Sequence, residues 1–259
     1  MTTWPVSLKT KIPLTRSTVD CYICRHGRFG RVFTPKGCHG ILMKDSKEYS
    51  KKIQKLYRSL KRKPGKHHPV EYDEPVDALV FAIVSENLTE SHAQAAIKKL
   101  KDYFVDWNDL RVATIEEIVE VLGPDFEPAR SIAATLVSVL NAVFNKHNML
   151  GLQSLRKLGK RPTKILLEKL NGATPFAVDY CMLTSMQGHA IPLTPKMIEF
   201  LKTGQFIHAE ATYEEIEGFL CRLISIKNAC EFYLLLRRES ESPKKQPPKT
   251  KKKTQKNRK

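Results

Sequence analysis

Apolar residues recur at helical spacing along most of this chain, and no stretch alternates apolar with polar residues as a half-buried strand would. The pattern predicts helices throughout. Tyr49, Ile53, Leu56, Tyr57 and Leu60 form one stripe within 44–66, and Asp45 and Glu48 are spaced there as a capping box. Thr114 with Glu117, and Thr212 with Glu215, have the same spacing and open two further helices; Gly123 closes the first of them. Residues 131–144, SIAATLVSVLNAVF, are apolar almost all round and predict a central helix.

The most informative stretch is 163–200, TKILLEKLNGATPFAVDYCMLTSMQGHAIPLTPKMIEF. Leu166, Leu167 and Leu170 sit at helical spacing, and Asn171-Gly172 follows where a helix C-terminus favours a residue tolerant of positive φ. Thr174-Pro175 restarts a helix: Thr caps it, and Pro at its first position gives up no needed N–H. Phe176, Val178, Tyr180, Cys181, Leu183 and Met186 make this second helix apolar on most sides, so it should be buried. Thr194-Pro195 repeats the device, and Gly204 ends the helix it opens. Such a hairpin aims backbone N–H groups and the positive end of a helix dipole outward, which suits a phosphate. Lys160, Arg161, Lys164 and Lys169 cluster just upstream. Taken alone, the stretch also fits an ordinary corner between two helices of an all-α protein.

The wider sequence resembles the helix-hairpin-helix DNA glycosylase superfamily, in its endonuclease III branch. LNGATPFAV at 170–178 lies over the family hairpin, L-P-G-V-G-R-K-T-A, and LTPK at 193–196 over the loop that carries its V-D-T-H. IVSENLTESHAQAAIKKL at 83–100 is similar to the family's L-S-x-Q-x-T-D opening, and 119–148 to its helix pair I-x-x-x-G-x-x-x-x-K-A-x-x-I. The resemblance spans about 72–235 and implies an all-α fold of two helical lobes with a cleft between them. The hairpin lobe would be inserted between segments that form the other lobe, so that 45–80 and 195–237 pack together. It also implies duplex DNA as partner, with Gly172, Thr174, Lys160, Arg161, Lys164 and Lys196 near the phosphates. Asn87 matches the family's intercalating side chain, which fills the gap beside a flipped base; it equally fits a polar residue at a turn between helices.

The departures fall on the chemistry. The family's second hairpin glycine is Thr174, its lyase lysine falls on Phe176, and its aspartate falls on Thr194. A phenyl ring neither attacks nor ionises, and a hydroxyl stabilises a cationic sugar less than a carboxylate does. No catalytic residue is therefore assigned. Asp179, with His189, Lys164 and Lys196 nearby in sequence, is the fallback for a relocated carboxylate, although its place on the helix predicts that it faces solvent or a neighbouring cap. Cys230 is the last cysteine, so the family's C-terminal iron–sulfur ligands are missing and no cluster or other cofactor is expected.

Charge strengthens the case for a polyanionic partner. The formal net charge is +17 over 259 residues, with 41% hydrophobic residues, enough for a proper core. The charge concentrates in two places. Residues 44–70 read as a basic amphipathic helix that docks on the glycosylase-like domain, 71–240. The tail, 241–259, has no apolar residue large enough to bury, which predicts disorder and binding to phosphates without sequence preference. No apolar run approaches a membrane span, and the first residues lack the apolar core of a secretory signal. A monomer is expected, inside the cell (cytoplasmic) and associated with DNA rather than membrane.

Six cysteines in an unsecreted chain argue for thiols rather than a disulfide framework. Cys181, Cys221 and Cys230 lie in helical patterns and read as core residues. Cys21 and Cys24 form a CxxC knuckle, and Cys38-His39 could complete a set of four ligands. Adjacent ligands are awkward and no second knuckle follows, so no metal is assigned. The pattern changes abruptly at Met43, and 1–43 is equally well read as a translated leader before the true start.

Three functions remain open on the sequence. One is a binder of damaged or distorted duplex DNA with weak or lost catalysis. The second is a working glycosylase with a relocated carboxylate. The third is a non-catalytic scaffold for RNA or protein.

Overall fold

The computed structural model describes residues 46–63 and 71–242. The zinc candidates Cys21, Cys24, Cys38 and His39, the N-terminal segment, Asp45 of the first capping box and the basic tail from 243 lie outside these residues. Among the described residues the protein is all helical: α1 (Ser46–Lys61), α2 (Pro75–Ser85), α3 (Glu90–Tyr103), α4 (Trp107–Val112), α5 (Ile115–Leu122), α6 (Ala129–His147), α7 (Lys160–Glu168), α8 (Pro175–Thr184), α9 (Pro195–Thr203), α10 (Tyr213–Leu223) and α11 (Ile226–Glu241). A short 3-10 turn, Gln153–Lys157, precedes α7.

Two helices hold the core together. α2 packs on α3, α6 and α8, and α8 packs on α2, α7 and α11. Both are apolar on nearly every side, as buried helices must be. α6 was expected to be central, but it is one-sided. Ile132, Ala133, Leu136, Val139, Leu140 and Val143 are buried, while Ser131 and Ala134 are exposed, because α2, α4 and α5 leave that side of the helix uncovered.

The two ends of the described chain meet, as expected. α1 lays Ile53, Leu56 and Leu60 into the core and packs on α11. Lys61 pairs with Glu231 at 2.8 Å, Lys63 pairs with Glu239, and the Tyr57 hydroxyl donates to Glu231 at 2.5 Å. Lys51, Lys55, Arg58 and Arg62 point to solvent, so α1 keeps a basic outer face.

The predicted caps recur with one correction. Thr212 and Glu215 form the full capping box, each bonding the other's backbone N–H. At Thr114 only half forms: its hydroxyl accepts from the Glu117 N–H, but α5 has no reciprocal bond from the Glu117 side chain. That carboxylate instead accepts from the Tyr103 hydroxyl at 3.4 Å. Gly123 closes α5 at φ 122°. Gly204 caps α9 at φ −77°, and the positive φ falls on Gln205. Glycine is needed at 204 for space, since a Cβ there would run into the Phe206 ring.

Candidate functional site

The hairpin forms where the sequence places it. α7 ends at Glu168, a turn closes through Leu170 and Ala173, and Gly172 adopts φ +86° at an exposed tip. Glycine answers two demands there, because a Cβ would also lie 3.0 Å from the Ser138 hydroxyl. Ser138 fastens the tip to α6 by accepting from the Asn171 amide at 3.1 Å and donating to its carbonyl at 3.3 Å. Thr174 caps α8 by accepting from the Ala177 N–H. Its hydroxyl also donates to Glu86 at 2.8 Å, which ties the hairpin to the end of α2. Burial pushes the Glu86 carboxyl up, partly countered by that hydroxyl.

The two positions that would carry family chemistry are inside the protein. Phe176 is 1% exposed, in an aromatic cluster with Tyr180, its ring centroid 5.9 Å away. Tyr180 in turn stacks on Phe81 at 5.6 Å and meets Tyr233 edge-on at 5.8 Å. Thr194 is 2% exposed and caps α9, its hydroxyl accepting from the Met197 N–H at 3.2 Å. Each side chain thus has a structural occupation: one fills the core and the other begins a helix.

The ionisable groups gather elsewhere on α8. Asp179 was expected to face solvent or a neighbouring cap, yet it is 2% exposed, because α7 and α10 close over that side of the helix. Lys164 Nζ lies 2.8 Å from Asp179 Oδ1, off the line of a good hydrogen bond, and the Tyr213 hydroxyl donates to Oδ2 at 2.9 Å. Burial raises the Asp179 pKa, with Glu217 adding to it and Lys164 and Tyr213 opposing. Burial works against the Lys164 charge, but Asp179 more than offsets it, so the ammonium is held above its ordinary pKa. These groups line a pocket of about 340 Å³ walled by Glu168, Ala173, Pro175, Val178, Glu214 and Glu217, beside the hairpin turn. Cys221, expected in the core, is only half-buried; its thiol donates to Glu217 at 3.0 Å, and partial burial beside that carboxylate pushes its pKa up.

The other residues singled out on sequence are spread over the surface around these two centres. Arg161 and Lys196 are exposed, Lys160 donates to the Met186 carbonyl, and His189 Nε2 sits 2.8 Å from the Ile224 carbonyl. Of the relocated set, Lys164 and Asp179 come together; His189 and Lys196 do not line their pocket. Asn87 is exposed in the turn from α2 to α3. Sequence reasoning passed over Glu86 and Tyr213. Glu86 adjoins Asn87 and could have been suspected on that ground; Tyr213 gave no signal beyond an aromatic in a first helical turn.

The arrangement of helices has counterparts among known structures. Endonuclease III trapped in a covalent intermediate with DNA superposes with TM-score 0.58 at 16% identity, covering 73% of this chain and 84% of that one. The 8-oxoguanine glycosylase/lyase of Clostridium acetobutylicum, in complex with double-stranded DNA, superposes with TM-score 0.57 at 17% identity, over 76% and 70%. The fold is that of the helix-hairpin-helix DNA glycosylases. In sequence, an Arabidopsis thaliana protein provisionally named as a DNA glycosylase is 28% identical over 135 residues. That match covers 51% of this chain and 45% of the relative, so the chain aligns with under half of that protein's length. No family model matches the chain.

Proposed function

We propose that this protein binds double-stranded DNA, with a preference for damaged or distorted duplexes, and releases bases weakly or not at all. It acts as a monomer inside the cell and uses no iron–sulfur cluster. The hairpin tip at Gly172 and Thr174 would meet the phosphates, and Asn87 would enter the gap in the duplex. The observation behind the loss of catalysis is the burial of Phe176 and Thr194 in core and cap. No amine stands at the lyase position and no carboxylate at the aspartate position. Loss of one positioned charge stabiliser costs a factor of ~10² to 10³ in rate.

Duplexes holding uracil, an oxidised pyrimidine, an alkylated purine or an abasic site provide the test. The expected result is tight, salt-sensitive binding with little or no base release, and no borohydride-trapped adduct at the hairpin. Six phosphate contacts would give a log–log salt slope of roughly −5. Removing 242–259 should flatten that slope and leave binding through the hairpin; a truncated protein that binds no duplex would remove the hairpin as a DNA element. RNA that competes better than duplex at fixed salt would favour the scaffold instead.

A second reading draws on the Lys164–Asp179 pocket. A nearly buried carboxylate with a raised pKa, in a pocket beside the hairpin, is a site where a general acid could work. Rapid base release that Asp179→Asn abolishes and Thr194→Ala spares would establish this reading and overturn the first.

A further inference from the structure

Arg237 on α11 is 1% exposed, and its guanidinium uses all five of its N–H groups. Nε donates to Glu241 Oε1 at 2.9 Å. Nη1 donates to the Tyr233 hydroxyl at 2.6 Å and to Ser85 Oγ at 3.4 Å. Nη2 donates to the backbone carbonyls of Ser85 at 2.9 Å and Leu88 at 3.2 Å. The other oxygen of Glu241 accepts from the Glu90 N–H at 3.0 Å, at the first residue of α3. Three groups of the α2–α3 turn are therefore held from α11: the last carbonyl of α2, the carbonyl of Leu88 and the first amide of α3. Only Glu86 and Asn87 lie between the two carbonyls. Glu86 is held from the other side by Thr174 of the hairpin, so the exposed Asn87 stands between two fixed points.

A buried cation is a poor device for stability alone, because well-packed apolar residues commonly replace one without loss. It is an effective device for fixing a loop, since a planar fork of donors accepts only one arrangement of its acceptors. We propose that Arg237 is a positioning residue for DNA recognition: with Glu241 it sets the α2–α3 turn so that Asn87 projects in the geometry that enters a distorted duplex. Lysine cannot substitute, because three donors on a flexible stem cannot meet five acceptors. The proposal rests on the duplex-binding reading above and goes beyond it by assigning a residue that touches no DNA.

The experiment compares the full chain with Arg237→Lys, Asn87→Ala and the double variant. Affinity is measured for an intact duplex and for one carrying a stable abasic-site analogue, and amide hydrogen exchange is followed in the free proteins. Each single variant should lower the preference for the abasic duplex roughly tenfold, the size expected for one disrupted buried hydrogen-bond set. The double variant should lose no more than either single one, since both act through one loop. Exchange at 86–90 should quicken in Arg237→Lys while that of 170–178 holds. Additive losses, an unchanged preference or unchanged exchange at 86–90 would each overturn the proposal. If Arg237→Lys fails to fold, Glu241→Ala, which removes one acceptor and the Glu90 cap from a less buried residue, takes its place under the same expectations. A parent protein without preference for the abasic duplex would sink the duplex-distortion reading, and the exchange data would still decide the clamp.

Discussion

Phe176 and Asp179 lie less than one turn apart on α8, and both are almost fully buried, yet their neighbourhoods follow opposite rules. Around Phe176 the helix meets the Tyr180 ring, and the position holds a side chain that only packs. Around Asp179 it buries a carboxylate against a lysine, a phenol and a second carboxylate, and leaves a pocket beside them. The contrast separates two uses of a buried position on one helix. A position can be given to the core, which improves packing and offers no chemistry. A charge can instead be kept in a dry place, which costs desolvation and persists only while its partners stay.

The largest effect should break the first side of that comparison. Phe176→Ala removes a fully buried ring from the aromatic cluster and should cost about 3–5 kcal/mol in denaturant unfolding. Phe176→Lys should do no better, because an unpaired ammonium would be buried there. A stable Phe176→Lys protein that traps an abasic duplex would show the position to be an open site after all.

Lys164→Met tests the other side. It leaves the Asp179 carboxylate without its cation, at a cost of about 1–2 kcal/mol near pH 8, since Lys164 is partly exposed to solvent. The cost should shrink on acidification, and the sign follows from linkage. Asp179 has a folded pKa above its unfolded one, and losing the ammonium raises it further. The folded state then binds the proton more strongly than the unfolded state. Stability falls as pH rises from the ordinary aspartate range through the raised folded pKa, and recovers as pH drops back below it. Melting curves at pH 5 and pH 8 for the parent, Lys164→Met and the Lys164→Met/Asp179→Asn pair would show it. A pH-independent cost would mean that Asp179 is not the group responding.

Thr194→Ala should cost only about 1 kcal/mol, the usual size of a lost N-cap, and Thr194→Ser close to nothing. The ordering of Phe176, Lys164 and Thr194 sharpens the comparison, since core, charge and cap should be felt in that sequence. Smallest of all, Glu86→Gln should leave stability near neutral pH almost unchanged, because the amide keeps an acceptor for Thr174. It should still remove the part of the acid titration owed to the raised Glu86 carboxyl, which an NMR titration of that side chain reads directly.

Much of the fold was legible because it is written locally. The hairpin needs a residue tolerant of positive φ at 172 and a cap followed by proline at 174–175, and those demands act within a few residues. The same holds for the cap at Thr194 and the capping box at Thr212 and Glu215. Local patterns misled where the outcome depended on a distant partner. Asp179 read as facing solvent or a neighbouring cap, but it is buried, with its carboxylate bonded to Tyr213 on α10.

Sequence alone determined that this chain is helical, that it turns a glycine hairpin, and that phenylalanine and threonine stand at 176 and 194. Only the tertiary structure decided what surrounds them. Asp179 is polar and sits on a helix with few surface-facing positions, and nothing local says that α10 will arrive to bury it against Tyr213. Arg237 looks like one more basic residue on a basic chain until α11 lays it beneath the α2–α3 turn, about 150 residues away in sequence. Helix formation and capping are settled by neighbours along the chain. The solvation of a charge is settled by whichever segments fold over it, and that information exists only once they have met.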